Sequence, residues 1–549
     1  MHLFRKMAAL LLAVILTAGA FCLVSHGAVG TVGADGALDF GEAYEKIVSA
    51  LAAGEPVYDE NRGKWMLTVD VSAYALPLSE LKSVCGAAFY QNPQFFFWTG
   101  GYSYSYSGGV VMKVYIPYEY APEELSERRA RFGEMTEALF ALCPEDATPL
   151  ETVLFYHDYL ASNYEYDVTY EINDAYRFLA EKKGVCQSYT AVFTLLMNRF
   201  GIPCTYARSN KLNHIWNVVC LDGRWYHLDV THDDPLRDRA GQAQHTWFLT
   251  GAVTTAAQNN GSKNVDDIEY GAAVQVCADD HPLHTMLKDC TRPTVAVDDD
   301  FYCVVPTDGG AVLAQIFADD CAIRNIRDLP SKWRIPGESG WYVGNFSGIA
   351  SDGKFVYFTD DSAVYAYDPF TDEETAVWSC PDDTVLYGLQ YGGGALTALV
   401  GSTPNDLPYK AAAVGGALPE PVYYTVTWVV GDQSFTARAR EGSDPFDCFN
   451  GSLEIEDENG VEYFFDRWSP ELSEVTGDVT YTAIFIARLT YLPGDVDENG
   501  VLSIEDVTRL LDMLATGQAE AARAADVDRN GRVSIEDVTA LLDALSAGN

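Results

Sequence analysis

Two stretches near the C-terminus are near copies of one another, and they constrain local structure more tightly than anything else in the 549-residue chain. Gly494-Asp495-Val496-Asp497-Glu498-Asn499-Gly500-Val501-Leu502-Ser503-Ile504-Glu505-Asp506 returns as Ala525-Asp526-Val527-Asp528-Arg529-Asn530-Gly531-Arg532-Val533-Ser534-Ile535-Glu536-Asp537. In each copy oxygen-bearing side chains stand at loop positions one, three, five, nine and twelve, with glycine at six. That spacing suits a hard cation: the side chains supply oxygens, the glycine permits a sharp turn, and position seven supplies a backbone carbonyl. The expected ligands are Asp495, Asp497, Asn499, Val501, Ser503 and Asp506, then Asp526, Asp528, Asn530, Arg532, Ser534 and Asp537. Two Ca2+ ions are expected, one per loop. A helix should follow each loop, because Val507, Leu510, Leu511 and Leu514, then Val538, Leu541, Leu542 and Leu545, recur at helical spacing. Leu492-Pro493-Gly494 excludes a helix before the first loop.

Loop plus exit helix, twice, with Asp rather than Glu at position twelve, resembles a dockerin over residues 491–547. The resemblance implies an all-α calcium-binding module that docks on the cohesin domain of a scaffoldin. It also implies that loop positions ten and eleven, Ile504, Glu505, Ile535 and Glu536, face that partner. Both copies read Ser-Ile-Glu-Asp-Val-Thr, so either could dock, in two orientations related by a half turn. Arg509 against Ala540 breaks the symmetry.

An extracellular location is expected from the other end too. Arg5-Lys6 precedes an apolar run from Met7 to Val24, the pattern of a secretory signal, assigned to 1–28. Cleavage suits either Ala18-Gly19-Ala20 or the stretch from Ser25 to Ala28, and an uncleaved anchor is the alternative. No other segment is expected to span a membrane. A formal net charge of −43 repels phosphates and anionic lipids, which removes nucleic acids and membrane surfaces as expected partners. The twelve cysteines show no CxxC metal pattern. Several, such as Cys220 and Cys303, sit in apolar runs, which leaves buried thiols and disulfides both open.

Between the ends the chain reads as several domains. Residues 31–135 look α+β. A helix is expected over 37–53, and strands at Trp65–Val69, Phe95–Trp98, the alternating Tyr102, Tyr104 and Tyr106, and Val110–Ile116, where Pro117 ends the run. Core packing is the expected role of that aromatic stripe, with sugar binding as the alternative. Helices are expected over 122–162, with Leu150, Val153, Leu154 and His157 on one stripe. From 291 to 418 short strands and Asp-Gly turns suggest one or two propeller-type blades. Residues 421–488, opened by Tyr424–Trp428 and closed by Phe465–Pro470 and Val475–Ala483, are similar to the β-grasp-like internalin-type repeats of bacterial surface proteins. That similarity implies a spacer or adhesive role.

Chemistry concentrates in 136–290. Cys186 opens an amphipathic stretch that Gly201-Ile202-Pro203 ends, so its thiol should sit at a helix N-terminus, where the dipole favours the thiolate. Downstream, two alternating apolar runs flank Asp222-Gly223 and read as a hairpin. Setting Leu221 opposite Arg224 places His214 opposite Thr231, with Asp229 on the face of His214, a diagonal neighbour. A thiol, an imidazole and a carboxylate in that relation can perform nucleophilic catalysis on an amide. His227 and His232 are rival bases, but His227 lies further along and His232 should point away. The Cys186 N–H should contribute to an oxyanion hole, with Tyr164, Tyr166 and Gln187 all open as second donor.

Gly-Val-Cys at 184–186, His-x-Trp-Asn at 214–217 and Trp-Tyr-x-Leu-Asp at 225–229 resemble the transglutaminase-like (papain-like) core of secreted bacterial proteins. The resemblance implies Cys186 as nucleophile, His214 as base and Asp229 as orienting carboxylate. The expected fold class is multidomain α+β: a papain/transglutaminase-like core, a β-rich middle region, a small β-grasp-like repeat and an all-α calcium-binding dockerin. The expected function is a secreted, cellulosome-associated cysteine peptidase or amidase, with a protein or peptide substrate, in a cell-surface polysaccharide-degrading complex. The alternatives are a cross-linking transglutaminase and a non-catalytic adhesion component.

Overall fold

The computed structural model describes residues 30–33, 36–144, 147–235, 241–260, 266–392, 394–415, 418–453, 461–489, 491–518 and 523–547. The expected signal peptide, 1–28, lies outside them. None of the described helices is long and apolar enough to cross a membrane. The chain divides into two compact units. One holds the described residues up to Asp368 with Glu374–Leu418, and the other holds Pro369–Glu373 with the described residues from Pro419 onward.

In the first unit, one hydrophobic cluster runs from Phe40 to Ala318, so the N-terminal region and the thiol-bearing core share buried surface. The N-terminal part begins with a short hairpin, Thr31–Val32 against Leu38–Asp39, and the helix Glu42–Ala53, whose Ile47 and Leu51 are fully buried. Its antiparallel sheet has the order Val57–Asp59, Lys64–Asp70, Val110–Tyr118, Ser103–Ser107. Three local expectations need correcting. Phe95–Trp98 is no strand: Pro93 starts a 3-10 turn, and the four aromatics sink into the core from a backbone folded on itself, Trp98 N–H donating to the Phe95 carbonyl. Aromatic runs fit any buried segment, whatever its backbone conformation. Pro117 does not end its strand. It pairs with Met66 on one side, while on the other the neighbouring strand has already stopped at Ser103, so the missing N–H costs no ladder bond. Tyr104 and Tyr106 do not pack a core: they are 45% and 60% exposed.

The core that follows sets the geometry of the thiol. Helix α1, Pro149–Asn163, begins with a Thr148/Glu151 capping box and buries Leu150, Val153, Leu154 and His157. Helix α2, Cys186–Arg199, ends at Gly201, whose φ of +68° no side-chain-bearing residue adopts easily. Strands β1 (Cys204–Ser209), β2 (His214–Leu221) and β3 (Arg224–Leu228) form a meander, and β4 (Glu269–Tyr270) adds to β1, giving the order β3-β2-β1-β4. Asp222 and Gly223 both have positive φ, the turn a two-residue hairpin needs. The hairpin register is the expected one, Leu221 opposite Arg224 and Asn217 opposite Leu228. Pairing stops there, so His214 pairs with Ser209 of β1 and does not face Thr231. The chain leaves β3 into a short helix, α3, Val230–Asp233, with Asp229 as its N-cap. Helix α2 is bolted across β2 by polar bonds: Thr190 donates to the Ile215 carbonyl, and Asn217 donates to the Thr190 carbonyl and the Thr194 hydroxyl.

Beyond the core, residues 295–413 form three antiparallel meanders (Val295–Leu329, Ile349–Ser379, Val385–Ala413) and the hairpin 332–343. In the second unit a four-stranded sheet has the order Gln433–Arg440, Tyr423–Val430, Val479–Leu489, Val461–Ser469. Its central pair is parallel and its outer pairs antiparallel, packed around Trp428, Trp468 and Tyr481. The same unit contains the two exit helices, Ile504–Thr516 and Ile535–Ser546. They bury Val507, Leu510, Val538 and Leu541 against each other, at about 1.5–3 kcal/mol per fully buried side chain, while Leu511 and Leu542 face outward.

Candidate active site

Cys186 is the first residue of α2, after the extended N-cap Val185. Its N–H belongs to the first helical turn, which has no intrahelical acceptor, and the dipole end favours negative charge on the sulfur. The segment before it is fixed by Asp167, whose carboxylate accepts from the N–H groups of Thr169, Glu171 and Ile172 and from the Thr169 hydroxyl. Val185 N–H donates to the Ile172 carbonyl, and Tyr166 lies across a parallel bridge from Gly184.

The first residue of β2, His214, receives the thiol: its ring is hydrogen-bonded to Cys186. His214 Nε2–H donates to Asp229 Oδ2 at 2.6 Å, which leaves Nδ1 for the sulfur. The structure therefore brings Cys186, His214 and Asp229 into one hydrogen-bonded chain. Tertiary folding, not the cross-strand diagonal, achieves the Asp–His contact, because Asp229 has left the ladder to cap α3. Burial opposes charge on His214, but the Asp229 carboxylate, its hydrogen bond and the contact with Cys186 outweigh burial and lift the imidazole to about 10. Burial would likewise raise Asp229, yet His214 and His232 together hold it well below the ordinary carboxylate range.

His232 needs correcting. It does not point away: its Nδ1 lies 2.5 Å from the same Asp229 Oδ2, its ring stands edge-on to His214 at 4.4 Å, and Trp247 stacks on its other side at 4.8 Å. Sequence carried one signal for this, an Asp followed three residues later by a hydrogen-bonding residue at the start of a helix. His227 is no base. It is buried, its Nδ1 accepts from the Trp216 indole at 2.9 Å, and burial pulls it down to about 4.

Of the three open oxyanion donors, two are engaged elsewhere. Tyr164 is buried and stacked on Phe178, and Gln187 donates its amide to the Asn173 carbonyl. Tyr166 is half-buried beside the thiol, and its phenol is pushed to about 12, first by burial and then by Cys186.

A second polar cluster lies wholly inside the first unit, and sequence reasoning missed it. His157 donates from both ring nitrogens, to Asp158 at 2.8 Å and Asp233 at 3.1 Å. His245 Nε2 lies 2.9 Å from Asp158, in charge contact but off the hydrogen-bond line, and its Nδ1 donates to the Cys290 carbonyl. Thr294 donates to Asp158 through both N–H and hydroxyl, and Trp247 N–H donates to Asp233. Because Asp233 ends the helix that carries Asp229 and His232, this cluster braces the thiol site from behind.

Far along the chain, Asp495, Asp497 and Asp506 bring carboxylate oxygens within 4.8 Å of one another, as do Asp526, Asp528 and Asp537. Gly500 and Gly531 turn the loops at φ +85° and +83°, with Val501 and Arg532 following at position seven. Asn499 and Asn530 lie in the loops, each donating to the carboxylate two residues before it. The oxygen chemistry fits a hard cation such as Ca2+. Ser503 and Ser534 cap the following helices, accepting from the N–H groups of Glu505 and Glu536, so position nine would serve a cation through water. Ile504, Glu505, Ile535 and Glu536 are exposed at the helix starts, both isoleucines by 63%.

Residues 140–230 match the Transglutaminase-like superfamily, a span that contains Cys186, His214 and Asp229. The chain thus carries a transglutaminase-like domain. Among solved structures it is similar to one described as a TGase, at 15% identity and TM-score 0.18, covering 24% of this chain and 44% of that one. It is also similar to a candidate cysteine protease from Cytophaga hutchinsonii, at 17% identity and TM-score 0.17, covering 22% and 51%. The match therefore spans about half the length of each. The comparison with curated proteins gives no match.

Proposed function

We propose that this chain is a secreted thiol enzyme, a cysteine peptidase or amidase acting on a protein or peptide substrate. The observation that carries this reading is the hydrogen-bonded chain from Cys186 at a helix N-terminus through His214 to Asp229. His214 takes the thiol proton, and the sulfur attacks the amide carbon. The carbonyl electron pair moves to oxygen, where the Cys186 N–H and the Tyr166 hydroxyl donate to it. The His214 imidazolium then gives its proton to the departing amine, leaving a thioester that water hydrolyses with His214 as base. The test is turnover of peptide substrates with and without amine acceptors. Hydrolysis lost in Cys186→Ala supports the reading; transfer to the amine without hydrolysis assigns a cross-linking transglutaminase; no Cys186-dependent turnover of either kind defeats it.

The C-terminal loops support tethering. In this reading each binds one Ca2+ through Asp495, Asp497, Asn499, the Val501 carbonyl and Asp506, or Asp526, Asp528, Asn530, the Arg532 carbonyl and Asp537. The exposed Ile504, Glu505, Ile535 and Glu536 meet the cohesin domain of a scaffoldin, and the enzyme works within an extracellular polysaccharide-degrading complex. Calorimetric titration of the full chain should find two Ca2+ sites, both lost in the double variant Asp506→Ala/Asp537→Ala. At a hundred times Kd, calcium should stabilise the module by about 2.7 kcal/mol per site. No calcium-dependent heat would rule the loops out as cation sites.

A further inference from the structure

We propose that His232 is a positioning residue of the thiol site, sharing the Asp229 carboxylate with His214 and so setting the pH at which the His214 imidazolium gives up its proton. This rests on the reading of Cys186, His214 and Asp229 as the thiol machinery. A carboxylate oxygen has two lone pairs, and Asp229 Oδ2 is approached by His214 Nε2 at 2.6 Å and His232 Nδ1 at 2.5 Å. Each N–H that donates to a carboxylate draws on its charge, so a second donor weakens its hold on the first.

The position of His232 is built in. Asp229 caps α3 through Oδ1, accepting from the His232 N–H at 3.2 Å, and this aims the His232 ring back at Oδ2. Trp247 stacks on that ring at 4.8 Å and fixes its plane. His214 is faced by Cys186 from α2, by Asp229 and His232 from the start of α3, and by the Trp216 ring of its own strand. His227 of β3 also feels the Asp229 charge, but it is buried and held neutral.

Alkylation of Cys186 by iodoacetate tests this on the full chain. The reagent is an anion, so its rate falls when the neighbouring imidazolium loses its proton; neutral iodoacetamide serves as control. In His232→Phe, which keeps a ring on Trp247 but has no N–H, the alkaline fall should move up by about half to one pH unit, the equivalent of the net worth of one ordinary hydrogen bond. His232→Gln, which keeps a neutral N–H donor at that position, should restore the wild-type profile. His232→Ala gives the same reading as Phe if the latter does not fold, since the side chain is 44% exposed. A profile unmoved or moved down in the donor-less variants overturns the proposal, as does a wild-type profile that shifts on adding EDTA, which would assign the two imidazoles and the carboxylate to a metal. A merely structural His232 would lower Tm and leave the limb in place. If instead His214→Ala reacts as fast as wild type, the thiol reading itself fails, whatever the His232 variants do.

Discussion

His214→Ala should lower the iodoacetamide reactivity of Cys186 at pH 7 by about 10- to 30-fold, because a thiol with no partner base is only a few per cent thiolate there. Amide turnover should fall further, since the same ring returns the proton to the leaving amine. Asp229→Asn should cost about 10⁴-fold in turnover, comparable to the loss of an orienting carboxylate in other triads. It keeps size but cannot carry the charge that outweighs burial at His214. The pH dependence gives the sign. With Asp229 present the imidazolium beside Cys186 persists to about pH 10, so it should survive across pH 7–9. In Asp229→Asn only the contact with Cys186 still opposes burial, the imidazole pKa falls, and the imidazolium should be lost well below pH 9. Stopped-flow alkylation across pH 5–10 checks both; equal profiles in wild type and variant would show that the contact does not govern the thiol.

Asp158→Ala should be the most destabilising single change in the first unit. The carboxylate is fully buried and stands between two imidazoles, with two further bonds from Thr294. Removing it leaves His157 and His245 with Asp233 as the nearby anion, and strips both Thr294 donors of their acceptor. Breaking a buried charge pair in this way costs about 3–5 kcal/mol. For a unit of this size that is a fall in Tm of about 4–6 °C, measurable by calorimetry. The linkage to pH has a definite sign. Burial lowers His245, but Asp158 outweighs burial and lifts it to about 9, above its unfolded value of about 6.5. Its contribution to stability is therefore full below about pH 6.5 and lost as pH rises towards 9. His157 and His214 are also raised, so three imidazoles contribute to the wild-type decline. The decisive comparison is the slope of Tm between pH 6.5 and 9, which should flatten in His245→Asn; an unchanged slope would remove His245 from the linkage.

Local chemistry carried much of the site into the sequence. The Asp222-Gly223 turn fixed the hairpin register, Gly201 and Pro203 closed the helix that begins at Cys186, and the spaced aspartates with Gly500 and Gly531 shaped the two C-terminal loops. Each depends on residues within a few positions of one another. Where an expectation failed, a distant neighbour decided. Phe95–Trp98 folded into the core as a turn, Tyr104 and Tyr106 lay on an outer face, and Pro117 stood where the adjacent strand had ended.

By itself, then, the sequence determined the residue types of the thiol site and the two acidic loops, because turns, caps and spacing act locally. Tertiary structure alone decided that Asp229 leaves its strand to cap a helix and serves two imidazoles. It alone joined His157 to Asp233 and Asp158 to His245 and Thr294, across intervals of up to 136 residues. Those contacts form only when a whole core closes, since burying a charge is tolerable only once every partner has arrived.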